Sequence, residues 1–238
     1  FPFPPNGSRV VFAQVAGRWQ ITDDETPAGR KTPGLQGPID DAFASPFLCV
    51  RGTGQPWNAS VQKYADASLS RFADEWQHYF RGSLPIKDDV AVTSDDIQSR
   101  HLILFGDPGS NSLIAQSLSS LPLKWTKETL QFGDQEYSAA EHLPALIAPN
   151  PLSSKTQPDQ AQPGAKGQSA ANQKYVVLNS GHTFRETELA KLNYLLFPRW
   201  GDWAVLKINV PQKADAPLTE QVLRAGYFDE SWRLTNSK

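Results

Sequence analysis

The chain is short of cysteine, lacks methionine, and has neither a long apolar run nor a charge bias, and each shortage removes a class of protein. A single cysteine among 238 residues excludes an internal disulfide framework. Within "FLCVR", Cys49 reads as a small buried hydrophobe and not as a reactive thiol. No stretch approaches the roughly 18 consecutive apolar residues of a membrane-crossing helix, so no membrane span is expected. The net charge of −2 lacks the basic footprint of a nucleic-acid or anionic-membrane binder, and neither partner is expected. No self-similarity at a period of about 20 to 50 residues is visible, which sets solenoids and propellers aside. No basic-then-apolar leader opens the chain, so an intact signal peptide is not expected. The missing methionine and the opening "FPFPP" lead us to expect a processed product or a piece of a longer protein.

What is present suits a folded domain. Aromatic residues make up 11% of the chain and include seven Trp, enough at this length for a sizeable core in one large domain or one domain with an appendage. Residues 1–21 end in "RVVFAQVAGRWQI", two β-like runs joined by "AG", which predict a hairpin or two edge strands. Residues 22–38, "TDDETPAGRKTPGLQGP", read as a Pro- and Gly-rich linker.

From residue 39 onward, apolar strands alternate with helical patterns. "PFLCVRGTG" is an apolar strand followed by Pro56 and a possible Asn58 cap. In the next segment Val61, Tyr64, Ala65, Leu69, Phe72, Trp76 and Tyr79 recur at steps of three and four, as on an amphipathic helix. "TSDDIQS" predicts a short helix capped by Thr93. "HLILFG" is a second buried strand leading into a helix with Leu113, Ile114, Ser117, Leu118 and Leu121 on its stripe. "LKWTKETLQFGDQEYS" predicts a small hairpin excursion. "LPALIAPN" and "KYVVLNSG" predict two more strands, Arg185 to Leu196 a helix, and "DWAVLKINV" and "VLRAGYFD" the last strands. Between "NPL" and "KYVV", at about residues 151–173, a polar segment with almost no large apolar side chain is expected to be a mobile loop. The alternation predicts an α/β, three-layer sandwich with a mainly parallel sheet of Rossmann or flavodoxin type over residues 39–238.

In such sheets ligands collect where the strands end and helices begin. Three stretches are expected on that edge: Arg51, Gly52 and Gly54 in "RGTG"; Gly106, Asp107, Ser110 and Asn111 in "GDPGSN"; Asn179, Ser180, His182 and Arg185 in "NSGHTFRE". Together they could hold a polar ligand, a glycan or a small anion, with Arg51 and Arg185 as carboxylate or phosphate clamps. The plainer reading makes Ser110 or Asn111 a helix cap, Pro-Gly a turn, and Arg51 and Arg185 ion-pair partners of Asp107 or Glu186. "GDPGSN" is neither G-x-G-x-x-G nor a P-loop. Nor is it G-x-S-x-G, because Pro108 and Ser112 stand where the elbow glycines belong. A serine nucleophile at Ser110 with His182 as its base remains an alternative on paper. His182 and Glu186 could share a helical face, yet two ligands do not specify a metal. No metal and no cofactor are expected. The acid pairs Asp40-Asp41, Asp88-Asp89 and Asp95-Asp96 suit caps and turns better than sugar hydrolysis. The triplets at Asn6 and Asn58 are glycan acceptors only in a glycosylating pathway.

Taken jointly and in order, "KTPGLQGPIDDAF", "FLCVRGTG", "FRG", "KDDVAVTSDDI", "HLILFGDPGSN", "LPALIAPNPL", "KYVVLNSGHTFRE" and "AGYFDESW" resemble the C-terminal region of large secreted prolyl-oligopeptidase-like serine hydrolases of planctomycete-type bacteria. The resemblance runs from about Val10 to Trp232 and departs from the family in the polar segment after "NPL". It implies that residues 1–21 are the end of a β-rich connector and that the Ser-His-Asp hydrolase domain lies upstream, outside this chain. On that footing the chain is expected to be a non-catalytic accessory domain, secreted or periplasmic, whose partner is the hydrolase domain of its own parent. The alternatives are an independent hydrolase using Ser110 and His182, or a glycan- or anion-binding module.

Overall fold

A computed structural model describes residues 11–22, 29–153, 173–184, 189–190, 197–209 and 219–235. The chain divides into two compact units, Phe1–Arg30 and Lys31–Lys238. The first holds an antiparallel hairpin of β1 (Val11–Val15) and β2 (Arg18–Thr22). Its turn residues Ala16 and Gly17 both have positive φ, at 52° and 78°, the type I′ geometry that matches strand twist. "AG" therefore joins two strands as the sequence suggested.

The second unit is built on a seven-stranded sheet. Its strands are β3 (Phe47–Arg51), β4 (Ile86–Asp88), β5 (His101–Phe105), β9 (His142–Pro149), β10 (Tyr175–Leu178), β11 (Trp203–Asn209) and β12 (Thr219–Gly226), with β6 (Lys124–Trp125), β7 (Thr129–Phe132) and β8 (Gln135–Ser138) forming a separate antiparallel sheet. The helices are α1 (Ala59–Glu75), α2 (Ser94–Ser99) and α3 (Ser112–Ser117). The order across the large sheet is β12-β11-β9-β10-β5-β3-β4. β4, β3, β5 and β10 run parallel, while β9 is antiparallel to both β10 and β11, and β12 is antiparallel to β11.

This overturns the expected mainly parallel, three-layer sandwich of Rossmann or flavodoxin type. Among the described residues six of nine strand pairings are antiparallel, and α1 is the one helix longer than two turns. The molecule is β-rich with a mixed sheet. The physical reason is that a run buried on both faces is apolar whichever way it points. Leu143–Ala148 are all buried, and nothing in "LPALIA" records its direction.

Local chemistry accounts for the elements that position the parallel half. β3 and β5 are buried along nearly their whole length, and α1 covers the sheet with Val61, Tyr64, Ala65, Ser68, Leu69 and Phe72, spaced on one helical face. The helix continues into a π-turn, Trp76–Phe80, and stops at Arg81, which is left-handed at φ 56°. α2 carries a capping box: the Thr93 hydroxyl accepts from the Asp96 amide while the Asp96 carboxylate accepts from the Thr93 amide. Cys49 is fully buried in β3, and burial pushes its thiol pKa well up. The predicted helix over Arg185 to Leu196 lies outside the described residues except for Leu189 and Ala190, and the predicted mobile loop lies outside them from residue 154 to 172.

Two buried polar anchors had no sequence signal. Asp202, wholly buried, pairs with Lys31 and accepts from the Phe228 amide at 2.9 Å. Burial raises its pKa and Lys31 opposes the rise. The Tyr175 hydroxyl donates to Asp41 at 2.6 Å and accepts from the Gly37 amide at 3.1 Å. No helix among the described residues is long and apolar enough to cross a membrane.

Candidate functional site

The carboxyl ends of β3 and β5 bring "RGTG" and "GDPGSN" into direct contact. The Gly52 amide donates to Phe105 O at 3.3 Å and the Gly54 amide to Ser110 O at 2.7 Å. At Gly52 a Cβ would lie 2.7 Å from the Ser110 carbonyl oxygen, so the two turns approach as closely as they do only without a side chain there. Asn179, at the end of β10, joins them: its Oδ1 accepts from the Gly106 amide at 2.9 Å and its own amide donates to Leu104 O at 2.8 Å.

The centre of this cluster is Asp107. Its carboxylate is fully buried and accepts four backbone N–H groups: Gly109 and Ser110 at 2.9 Å on Oδ1, and Trp57 and Asn58 at 2.8 and 3.1 Å on Oδ2. Amides converging at a turn and at a helix start make an anion site, and here the chain supplies the anion itself. The amides expected to cradle a small anion or a glycan oxygen are bonded to Asp107. Asn58 occupies the cap position of α1 but makes no side-chain cap bond; Asp107 satisfies its amide, and the Asn58 side chain donates instead to Lys127 O at 3.0 Å.

The remaining residues of the turn are bonded in the same inward manner. Ser110, 1% exposed, has its hydroxyl between the amide and the carbonyl of Asp107, at 3.0 and 3.2 Å. Asn111 is the cap of α3, its Oδ1 accepting from the Leu113 and Ile114 amides while its Nδ2 donates to Val50 O and Phe105 O. Arg51 pairs with Asp88 through Nε and Nη2 at 2.9 and 2.7 Å and not with Asp107, whose carboxylate is taken by backbone amides; Glu186, the other expected partner, lies outside the described residues. Asp89, which the sequence did not single out as a site residue, accepts from the Thr53 amide and hydroxyl on one oxygen and from the Ser112 amide on the other. These bonds pull its pKa down against the effect of burial.

His182 does not join this cluster. After Asn179 the chain turns back, Ser180 bonds locally to Gly181 O at 2.7 Å, and Thr183 donates to Asp40, ahead of β3, through its amide and hydroxyl. The His182 side chain is 2% exposed; Nε2 lies 3.2 Å from Glu75 Oε2 without hydrogen-bond alignment. The ring packs against Phe72, Phe80 and Phe184 at 5.3, 6.0 and 5.6 Å between centroids. Glu75 is the last residue of α1, whereas Asp107 and Ser110 meet its first turn. Seventeen helical residues span about 25 Å, so Ser110 and His182 sit near opposite ends of the helix. Arg185 and Glu186 lie outside the described residues. Among the described residues no group of three or more His, Cys, Asp or Glu side chains could hold a metal.

Of the acid pairs, Asp96 caps α2 through Thr93 and also holds Lys87, whereas Asp40, Asp41, Asp88 and Asp89 make long-range bonds to Thr183, Tyr175, Arg51 and Thr53 instead of serving local turns. The sequence placed Asp107 among the candidate residues of the strand-to-helix turn. Its reach to Trp57 and Asn58, 50 and 49 residues away, had no local signal.

No family model matches the chain, and no solved structure matches it. The chain is similar to a glutaminyl-peptide cyclotransferase-like protein of Bos taurus, 26% identical over 163 residues, which cover 55% of this chain and 43% of that protein. The chain thus spans less than half the length of the curated relative it matches.

Proposed function

We propose that the chain is a non-catalytic accessory domain of a secreted or periplasmic serine hydrolase of the prolyl-oligopeptidase-like kind, serving substrate positioning, assembly or stability of a parent whose nucleophile lies elsewhere. The observation that carries this reading is the inward bonding of the carboxyl edge. Asp107 occupies four amides, Ser110 is bonded within its own turn, and His182 lies at the far end of α1. Nucleophilic catalysis needs a base within hydrogen-bond reach of the nucleophile, and Ser110 has none among the described residues. The link to a parent rests on the order of motifs that resembles the C-terminal region of those hydrolases.

The similarity to the bovine relative favours a second reading, an enzyme acting on glutaminyl peptides. One set of assays separates the two. The purified chain is offered p-nitrophenyl esters, prolyl peptides and a peptide with N-terminal glutamine; the accessory reading expects no turnover of any. Cyclisation of the glutaminyl peptide would establish the second reading, and ester or peptide hydrolysis abolished by Ser110→Ala would establish an independent hydrolase. The accessory reading also expects the coding sequence to continue upstream into a G-x-S-x-G domain.

A further inference from the structure

The amino-terminal edge of the same parallel strands is open where the carboxyl edge is filled. A groove of about 690 Å³ lies there, walled by Phe43, Phe47, Trp76 and Pro85, with Arg100 the one charged residue among the described residues that line it. Phe47 begins β3, Arg100 immediately precedes β5, and Pro85 immediately precedes β4. The rings hold one another edge to face: Phe43 meets Phe47 at 5.2 Å and 86°, and Phe47 meets Trp76 at 5.1 Å and 81°. Edge-to-face contact is the geometry that aromatic rings favour, and the outer faces of this cluster line the groove.

Arg100 is the polar counterpart. Its side chain is 43% exposed, and its ion pair among the described residues, Nε to Asp96 Oδ1, is 3.9 Å long, beyond hydrogen-bond range. Asp96 is engaged elsewhere, accepting from Lys87 at 2.6 Å and from the Thr93 hydroxyl and amide at 2.8 and 3.0 Å on its other oxygen. The guanidinium fork is therefore available for a planar anion. Among the described residues no carboxylate lines the groove, so its charge selects against cationic ligands.

We propose that this groove binds the C-terminal residue of a peptide ending in an aromatic side chain, with the ring against Phe43, Phe47 and Trp76 and the carboxylate on Arg100. The groove is wide and largely open to solvent, which suits the end of a peptide whose preceding residues run outward better than a free aromatic acid that would need enclosure. Ser45 and Ser83 are neutral polar residues in the lining. The inference does not depend on the hydrolase reading, because it concerns the other edge of the sheet.

The test is a ¹H–¹⁵N NMR titration of the full chain with the tripeptide Ala-Ala-Phe as its free acid, the same tripeptide as its C-terminal amide, and phenylacetate. The free acid shifts the backbone amides of Phe47, Trp76 and Arg100 and binds about tenfold more tightly than the amide form, the discrimination expected of one bidentate charge-assisted contact. Arg100→Gln abolishes that difference while the rest of the spectrum stays superimposable. Equal affinity for acid and amide, a difference that survives in Arg100→Gln, or no shifts at the groove would overturn the proposal. Phenylacetate binding as tightly as the tripeptide would overturn the peptide assignment in favour of a free aromatic acid.

Discussion

The two ends of the parallel strands solve opposite problems with the same sheet. At the carboxyl edge, backbone amides that could face a ligand are turned onto one buried carboxylate, Asp107, and the turns after β3, β5 and β10 are tied to one another. At the amino edge the turns before β3, β4 and β5 diverge around aromatic rings and leave a groove with one under-used guanidinium. Position at a strand end is therefore not enough to mark a site. What decides is whether the polar groups gathered there already have partners within the chain.

The contrast can be broken most severely at Asp107. Asp107→Ala leaves the partly buried amides of Trp57, Asn58 and Gly109 without a partner, while the Ser110 amide keeps the Asp107 carbonyl oxygen at 3.1 Å, and is expected to lower the unfolding free energy by about 3–5 kcal/mol, read as the midpoint of urea denaturation. Asp107→Asn, with one acceptor oxygen, should lose about half as much. A loss within error for both would show that these amides do not depend on the carboxylate.

At the amino edge the next effect is a pH dependence. His101, first residue of β5, is buried, and its Nδ1 accepts from the Tyr175 amide at 2.8 Å. Burial pushes its pKa down from 6.5 to about 4, with Lys174 adding to the drop. Between those values the unfolded chain binds a proton that the folded chain does not, so stability is full above pH 6.5 and falls as the pH is lowered toward 4. The slope approaches about 1.4 kcal/mol per pH unit. A pH series of denaturation curves should show it, and His101→Gln should flatten it.

Smaller still is the cap of α2. Thr93→Ala should cost about 1 kcal/mol at neutral pH. Because the Lys87 ammonium and the Thr93 amide hold the Asp96 carboxyl down at about 2, that stabilisation is present above the ordinary carboxylate range and disappears as the pH falls toward 2. The smallest change sharpens the comparison from the other side. Arg51 and Asp88 form an exposed pair, at 54% and 39% of side-chain area, so Arg51→Ala should alter stability by less than about 0.5 kcal/mol, although the sequence made Arg51 a leading candidate clamp.

Much of this was legible before the fold was known, and the rest was not for specific reasons. The apolar runs of β3, β5 and β10, the stripe on α1 and the Thr93 cap follow from periodicity and capping chemistry. The meeting of "RGTG" with "GDPGSN" followed from their place after buried strands. The direction of β9 did not, because a strand buried on both faces leaves no trace of its polarity, and with it went the expected sheet type. His182 was misplaced because the chain reverses after Asn179, whose φ of 48° allows the turn, and Thr183 then reaches Asp40, 143 residues earlier in the sequence. The groove was invisible because Phe43, Trp76, Pro85 and Arg100 come from four separate segments and form a surface only when the sheet is assembled.

Amide hydrogen exchange at Trp57, Asn58 and Gly109, in the native chain and in Asp107→Ala, tests the central claim most directly. The account predicts that all three exchange slowly in the native chain and become fast together in the variant, while the amides of β5 and the Ser110 amide, which also donates to the Asp107 carbonyl oxygen, stay protected. Fast exchange at these three positions in the native chain would contradict it, since the carboxyl edge would then be open to solvent and to a ligand.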